Sequence, residues 1–327
     1  MPCYSPLKGW RNNETGGIQF RADGATEKME VACGQCLGCR LDRSRQWAMR
    51  IVHESSLHEC NGGNCFVTLT YRDELECDSE QLRNGYHVPD DWSLSKDHFQ
   101  RFMKRLRKAF EPDKIRFFAC GEYGNRCRHG IDLECVGCPL CNVGRPHYHA
   151  CLFNVSFPDL TAYGSRDGEL RYTSDVLSRI WKYGFVDVGE LNFDSAAYVA
   201  RYCLKKVTGS AADDHYMQVD LDGVATWVLP EFNLMSRRPG IGRDWFDRYK
   251  DDVFPSDEVP VPGSGVFKGV PRYYEEVFKE ENPLSLEEIK ELRRKFMEAH
   301  GHDYTPERLM SRYKVKKAQV EMLKRSV

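Results

Sequence analysis

The sequence predicts an α+β fold, an antiparallel sheet with helices packed on it, in the split βαββαβ order of ferredoxin-like units. Three observations predict it. Phe66-Val67-Thr68-Leu69-Thr70-Tyr71 is dense in β-branched and aromatic residues, the mark of a strand. Phe99, Phe102, Met103, Leu106 and Phe110 recur at helical spacing behind Ser95, a residue type that caps helices. Residues 114–207 then read as two strands, a helix, a short strand and a last helix.

Taken in order, residues 1–39 read as irregular, punctuated by Gly16-Gly17, Gly34 and Gly38. A helix follows from about Leu41 to Leu57, and Asn61-Gly62-Gly63-Asn64 breaks the chain before the first strand. Residues 72–92 are polar and loop-like. The helix opened by Ser95 stops before Pro112. Lys114 to Cys120 forms the second strand and His147 to Val155 the third. Thr173 or Ser174 opens a helix to Tyr183, closed by Gly184. Phe185 to Val188 is a short strand, and Ser195 caps a helix from Ala196 to about Val207. Residues 251–271, rich in Pro, Gly, Val and Asp, read as a linker. Ser285-Leu286-Glu287-Glu288 is a capping box for a helix to about His300, and a charged helix spans Thr305 to Arg325. The expected divisions are 1–60, a Cys-rich element with a basic helix; 61–250, the main domain with a Cys-rich insert at about 126–143; and 251–327, linker and helical tail.

The 327 residues carry 47 Lys and Arg against 49 Asp and Glu, so bulk charge announces no polyanion partner; the basic residues are clustered instead. No run of ~18 apolar residues and no leader pattern appears, which excludes a membrane-spanning class. Fourteen cysteines without a secretory signal point to metal binding in a reducing compartment. C-x2-C-x2-C occurs at Cys33, Cys36, Cys39 and again at Cys135, Cys138, Cys141. Chance supplies only ~0.03 such triplets at this composition. Cys3 and Cys127 (or His129) are the nearest fourth donors for tetrahedral Zn²⁺. An iron–sulfur cluster is the alternative, but neither triplet has the C-x3-C-P element.

The chemistry centres on Arg145-Pro146-His147-Tyr148-His149 and on Tyr198-Val199-Ala200-Arg201-Tyr202. Imidazoles two apart on a strand share one side and can hold one metal, with Tyr148 as the spacer. Tyrosines four apart on a helix share one face, each a phenolic nucleophile. Chance alone gives about 0.3 H-x-H and about 0.7 Y-x3-Y matches, so order and context carry the reading. Basic groups at Arg40, Arg43, Arg45, Arg50, at Arg101, Lys104, Arg105, Arg107, Lys108, and at Arg237, Arg238, Arg243 are candidates for phosphate contact. Trp92, Trp181 and Trp245 either stack bases or fill the core.

Together these motifs resemble the HUH endonucleases, and most closely the replication initiators of microviruses, small single-stranded DNA phages. The resemblance covers residues 1–250 and is carried by Met1-Pro2-Cys3-Tyr4-x-Pro6, Cys33-Gly34-Gln35-Cys36-x2-Cys39, Gly121-Glu122-Tyr123-Gly124, the His147 motif and Ser236-Arg237-Arg238-Pro239-Gly240-Ile241-Gly242. It implies an HUH core in which His147, His149 and Glu122 hold Mg²⁺ or Mn²⁺. Tyr198 and Tyr202 would nick single-stranded origin DNA through a 5′-phosphotyrosyl link, with Lys205 on the same helical face neutralising phosphate. It also implies the host bacterial cytoplasm as the setting, host helicase and polymerase as partners, and no membrane. Two other readings stay open: a zinc-stabilised nucleic-acid-binding protein whose H-x-H is structural, and another HUH enzyme such as a transposase or relaxase.

Overall fold

The computed structural model describes residues 2–12, 17–22, 25–58, 62–124, 144–166, 168–202, 211–219 and 225–322. The chain divides into two units, one of residues 47–274 and one of residues 1–46 with 275–326.

The larger unit is built on a seven-stranded antiparallel sheet: β1 (Asn64–Thr70), β2 (Arg116–Tyr123), β3 (Pro146–Phe153), β4 (Thr161–Arg166), β5 (Glu169–Thr173), β6 (Val186–Gly189) and β7 (Phe232–Met235). Their order across the sheet is β7-β2-β3-β1-β6-β5-β4. The helices that matter here are α1 (Leu37–Ser56), α2 (Lys96–Ala109), α3 (Asp175–Trp181), α4 (Phe193–Tyr202) and α5 (Arg243–Val253). In chain order β1, α2, β2, β3, α3 and β6 run β-α-β-β-α-β, with the β4–β5 hairpin set in before α3.

Alternation sorts the strands into two faces. Val67, Leu69, Ala119, Ala150 and Leu152 point one way, into a core shared with Phe99, Phe102 and Leu106 of α2 and Leu177 and Trp181 of α3. Burying each Val, Leu or Phe side chain among them stabilises the fold by about 1.5–3 kcal/mol over exposure. Tyr148 belongs to this face and is more than the spacer expected of it. It is fully buried, its hydroxyl accepts the Ser95 N–H at 2.8 Å, and the same hydroxyl lies 2.8 Å from that of Tyr71. The histidine strand is thereby tied to the capped start of α2. On the other face Trp47 of α1 packs its ring 4.8 Å from Phe118.

Several boundaries differ from expectation. β2 runs on to Tyr123, three residues past the expected Cys120, so Glu122 near its end is itself part of the sheet. α3 stops at Trp181, where Lys182 takes a φ of 67°, two residues before Gly184. α4 begins at Phe193; Asn192 accepts the Ser195 N–H at 2.9 Å and is the cap assigned to Ser195. Residues 251–271 are no linker: α5 ends at Val253, and Glu258–Val261 pairs with Gly265–Lys268 as a hairpin that buries Val259 and Val261. The β4–β5 hairpin and β7 went unread because their apolar residues stay exposed or half-buried, which removes the alternation.

His53 of α1 stacks at 3.5 Å on Trp245 in the larger unit. It is fully buried, with Nε2 3.0 Å from the Pro260 carbonyl and Nδ1 2.8 Å from the Tyr274 hydroxyl. A neutral ring satisfies both, donating to Pro260 and accepting from Tyr274. Burial drives its pKa down to about 3. The unfolded chain therefore takes up this proton first, near pH 6.5, so the contribution is intact above that pH and is lost as pH falls toward 3. Urea unfolding should lose about 2 kcal/mol between pH 6.5 and 5 from this residue. His53→Gln should flatten that slope; an unchanged slope would disprove the assignment.

In the smaller unit, residues expected to be irregular form a three-stranded antiparallel sheet of Ile18–Gln19, Leu7–Asn12 and Ala25–Val31, in that order. Leu7 and Ile18 stay about half exposed, so no buried face marks the pattern. The helix Pro283–Ala299 starts at Asn282 with Pro283 in its first turn, which leaves Ser285 inside the helix and the expected capping box unformed. Pro306–Met322 is the last helix. Among the described residues no helix is long and apolar enough to cross a membrane.

Candidate metal centre and active site

Register places the three expected ligands side by side. Glu122 of β2 pairs with His147 of β3, and His149 lies two residues further along the same face. His147 Nε2 is 2.7 Å and His149 Nε2 3.0 Å from the same Glu122 oxygen, and all three side chains are buried. Burial works to raise the Glu122 carboxyl, but the two imidazoles outweigh it and hold it well below the usual carboxylate range.

The outer nitrogens explain why these rings face inward. His147 Nδ1 is 3.1 Å from the Arg145 carbonyl, and His149 Nδ1 is 3.0 Å from the Thr68 hydroxyl. His147 thus meets an acceptor at each nitrogen, whereas a neutral imidazole has one N–H. A cation between Nε2 and the Glu122 oxygen would satisfy both atoms. Two nitrogens and one oxygen, their ligand atoms all within 4.8 Å of one another, suit a divalent ion of intermediate to hard character. Thr68 was missed in the sequence; its signal is a polar residue on the histidine side of an apolar strand.

α4 brings a tyrosine to this cluster. Ala196, Val199 and Ala200 are fully buried, and the small alanines let the helix lie close against β2 and β3. Half-buried Tyr198 then sets its ring edge-on to His149, 5.2 Å between centroids. Tyr202 ends α4 one turn on. Lys205 lies outside the described residues, as do Cys127, Cys135, Cys138 and Cys141 of the insert and His129.

Residues 64–207, which include the triad and both tyrosines, match the replication-associated protein ORF2/G2P family. The chain is 34% identical over 316 residues to the replication-associated protein ORF2 of Spiroplasma virus 4, covering 90% of this chain and 86% of that one. The chain belongs to this family of phage replication-associated proteins. Replication-associated protein VP4 of Bdellovibrio phage phiMH2K is 28% identical over 86% of this chain and 79% of its own. Replication-associated protein ORF4 of Chlamydia phage 1 is 27% identical over 82% and 59% respectively. No solved structure matches.

In this replication-associated protein a second cluster gathers Cys3, Cys33, Cys36 and Cys39. Sγ of Cys3 lies 3.6 Å from that of Cys33 and 3.8 Å from that of Cys36, too far for a disulfide. Those distances match the ~3.8 Å edge of a tetrahedron of thiolates at 2.3 Å from zinc. Burial pushes the Cys3 and Cys39 thiols up. It acts on Cys36 as well, but backbone N–H groups of Cys39 and Tyr4 outweigh it and bring that thiol down to about 6.

The basic candidates sort by what already holds them. Arg50 is buried between the rings of Trp47 and Tyr273 and donates to the Ile241 carbonyl, and Arg105 donates to the carbonyls of Ile180 and Trp181 at the end of α3. Both guanidinium groups are engaged within the fold. Lys108, Arg237 and Arg238 are exposed, and Arg243 pairs with Asp247. Arg116 fixes the loop bearing Arg237 and Arg238 through the Pro239 and Gly240 carbonyls. Trp181 and Trp245 fill the core, while Trp92 is 37% exposed beside Arg145.

Proposed function

We propose that this chain is a rolling-circle initiator that nicks single-stranded origin DNA and later rejoins it, using an HUH-type core. The observation that carries the proposal is the convergence of Glu122, His147 and His149, with the Tyr198 ring set edge-on to His149. Mg²⁺ or Mn²⁺ on the triad would polarise a non-bridging oxygen of the scissile phosphate. The Tyr198 phenol oxygen attacks phosphorus, the bond to the 3′ oxygen breaks, and that oxygen takes up a proton as the phenol loses one. The 5′ end is left on tyrosine as a phosphodiester of similar energy, so no nucleotide triphosphate is consumed. Tyr202 performs the second cleavage, and the freed 3′ hydroxyl attacks the first link to close the circle. Lys205 offsets phosphate charge. Zn²⁺ on Cys3, Cys33, Cys36 and Cys39 would order the N-terminal element; the second zinc site expected of Cys127, Cys135, Cys138 and Cys141 lies outside the described residues. The setting is the host cytoplasm, with host helicase and polymerase extending from the nick.

Incubation with a labelled oligonucleotide spanning the phage origin and Mn²⁺ should give an adduct that survives denaturation. A folded, metal-loaded chain that forms none with any origin strand would refute the enzyme and leave a nucleic-acid-binding protein. Glu122→Gln keeps the shape and removes the charge, and should weaken Mn²⁺ binding by roughly 100-fold or more, read by calorimetry. Unchanged affinity in Glu122→Gln would remove it from the ligand set.

A further inference from the structure

We propose that Phe185 and Arg72 form a stacking site for one unpaired base of the DNA strand, two strands across the sheet from His147. The proposal rests on the nicking function and specifies how the strand is held at that site.

Cross-strand register supplies the position. His147 pairs with Thr70 across β3 and β1, and Thr70 exchanges both backbone hydrogen bonds with Phe185, each at 3.0 Å. Residues opposite one another in an antiparallel sheet project from the same face. Glu122, His147, Thr70 and Phe185 therefore form one row on the metal side, with Phe185 about 10 Å from His147 by strand spacing. Val186 and Val188 alternate to the opposite face and fill the core. Phe185 is left 54% exposed on the functional face.

The approach is built in. A Cβ on Gly184 would fall 2.2 Å from the Thr70 carbonyl oxygen, so only glycine lets the chain come in this close ahead of Phe185. Arg72 places its guanidinium carbon 5.9 Å from the Phe185 ring. Its Nη2 reaches the Gly184 carbonyl at a long 3.4 Å, and its buried Nε has no hydrogen-bond partner among the described residues, which leaves the half-buried guanidinium loosely held. An aromatic face beside a loosely held cation suits a nucleotide: the ring takes the base and the outer guanidinium nitrogens the adjoining phosphate. Asp187, on the same face, is paired with Arg171 at 2.9 Å, which limits its repulsion of a phosphate.

The test is fluorescence anisotropy of the full chain with labelled origin single strands, without catalytic metal, so that binding is read apart from cleavage. Phe185→Ala should weaken binding by roughly 5- to 100-fold, and Phe185→Trp should restore it. Phe185→Leu, apolar but without a ring face, should stay weak. Replacing bases one at a time by abasic sites should reveal one position at which wild type and Phe185→Ala bind equally. Arg72→Gln should lower the salt dependence by about one phosphate contact. If wild type forms the covalent adduct but Phe185→Ala binds as tightly, or no abasic position removes the difference, the stacking site is overturned and the nuclease stands. If wild type binds no single strand, both fall.

Discussion

Tyr198→Phe will abolish the covalent protein–DNA product, lowering its initial rate by roughly a thousandfold or more, about 4 kcal/mol of barrier at 1.36 kcal/mol per tenfold. The change deletes one oxygen. The ring keeps its edge contacts with His149 and Phe66 and its place 5.8 Å from the Arg201 guanidinium, so α4 has no reason to move. Unchanged circular dichroism and Mn²⁺ affinity would confirm that only the nucleophile is gone. The readout is the label retained on protein in a denaturing gel, with Tyr202→Phe in parallel. Full adduct in Tyr198→Phe together with loss in Tyr202→Phe would transfer the first attack to Tyr202 and disprove the assignment made from ring geometry.

Stripping the zinc proposed for the Cys3, Cys33, Cys36 and Cys39 cluster will have the largest effect on stability. Structural zinc sites are worth on the order of 10–16 kcal/mol in small domains, more than most folds possess in total. Near neutral pH Cys36, with its thiol at about 6, favours the thiolate on its own, whereas the raised Cys3 and Cys39 must lose protons to bind. Zinc affinity should therefore fall as pH is lowered, and a strong chelator should expose the amides of residues 2–39 to hydrogen exchange. Cys33→Ser should do the same without chelator. Metal analysis below one zinc per chain, or visible absorption from an iron–sulfur cluster, would refute the zinc assignment.

The sequence disclosed the parts of this molecule whose side chains repeat with a physical period. The apolar β1 and the amphipathic α2 were plain because both bury a face in the core. His147 and His149 were legible as a same-side pair for the same reason. What it hid were strands without a fully buried apolar face: Leu7–Asn12, the β4–β5 hairpin and β7. Tyr148 was undervalued because a spacer and a core tyrosine look identical until both faces of the sheet are assigned. Glu122 stands opposite His147, a register that the intervening residues obscured and that only the β2–β3 ladder reveals.

That ladder has a consequence for how such chains can diverge. Eight residue pairs, from Arg116 opposite Phe153 to Tyr123 opposite Pro146, zip β2 to β3, and Gly124 closes the end through bonds to Arg145 and Gly144. Alignment of the carboxylate with the histidines is settled inside this zipper and owes nothing to the length of chain spliced beyond it.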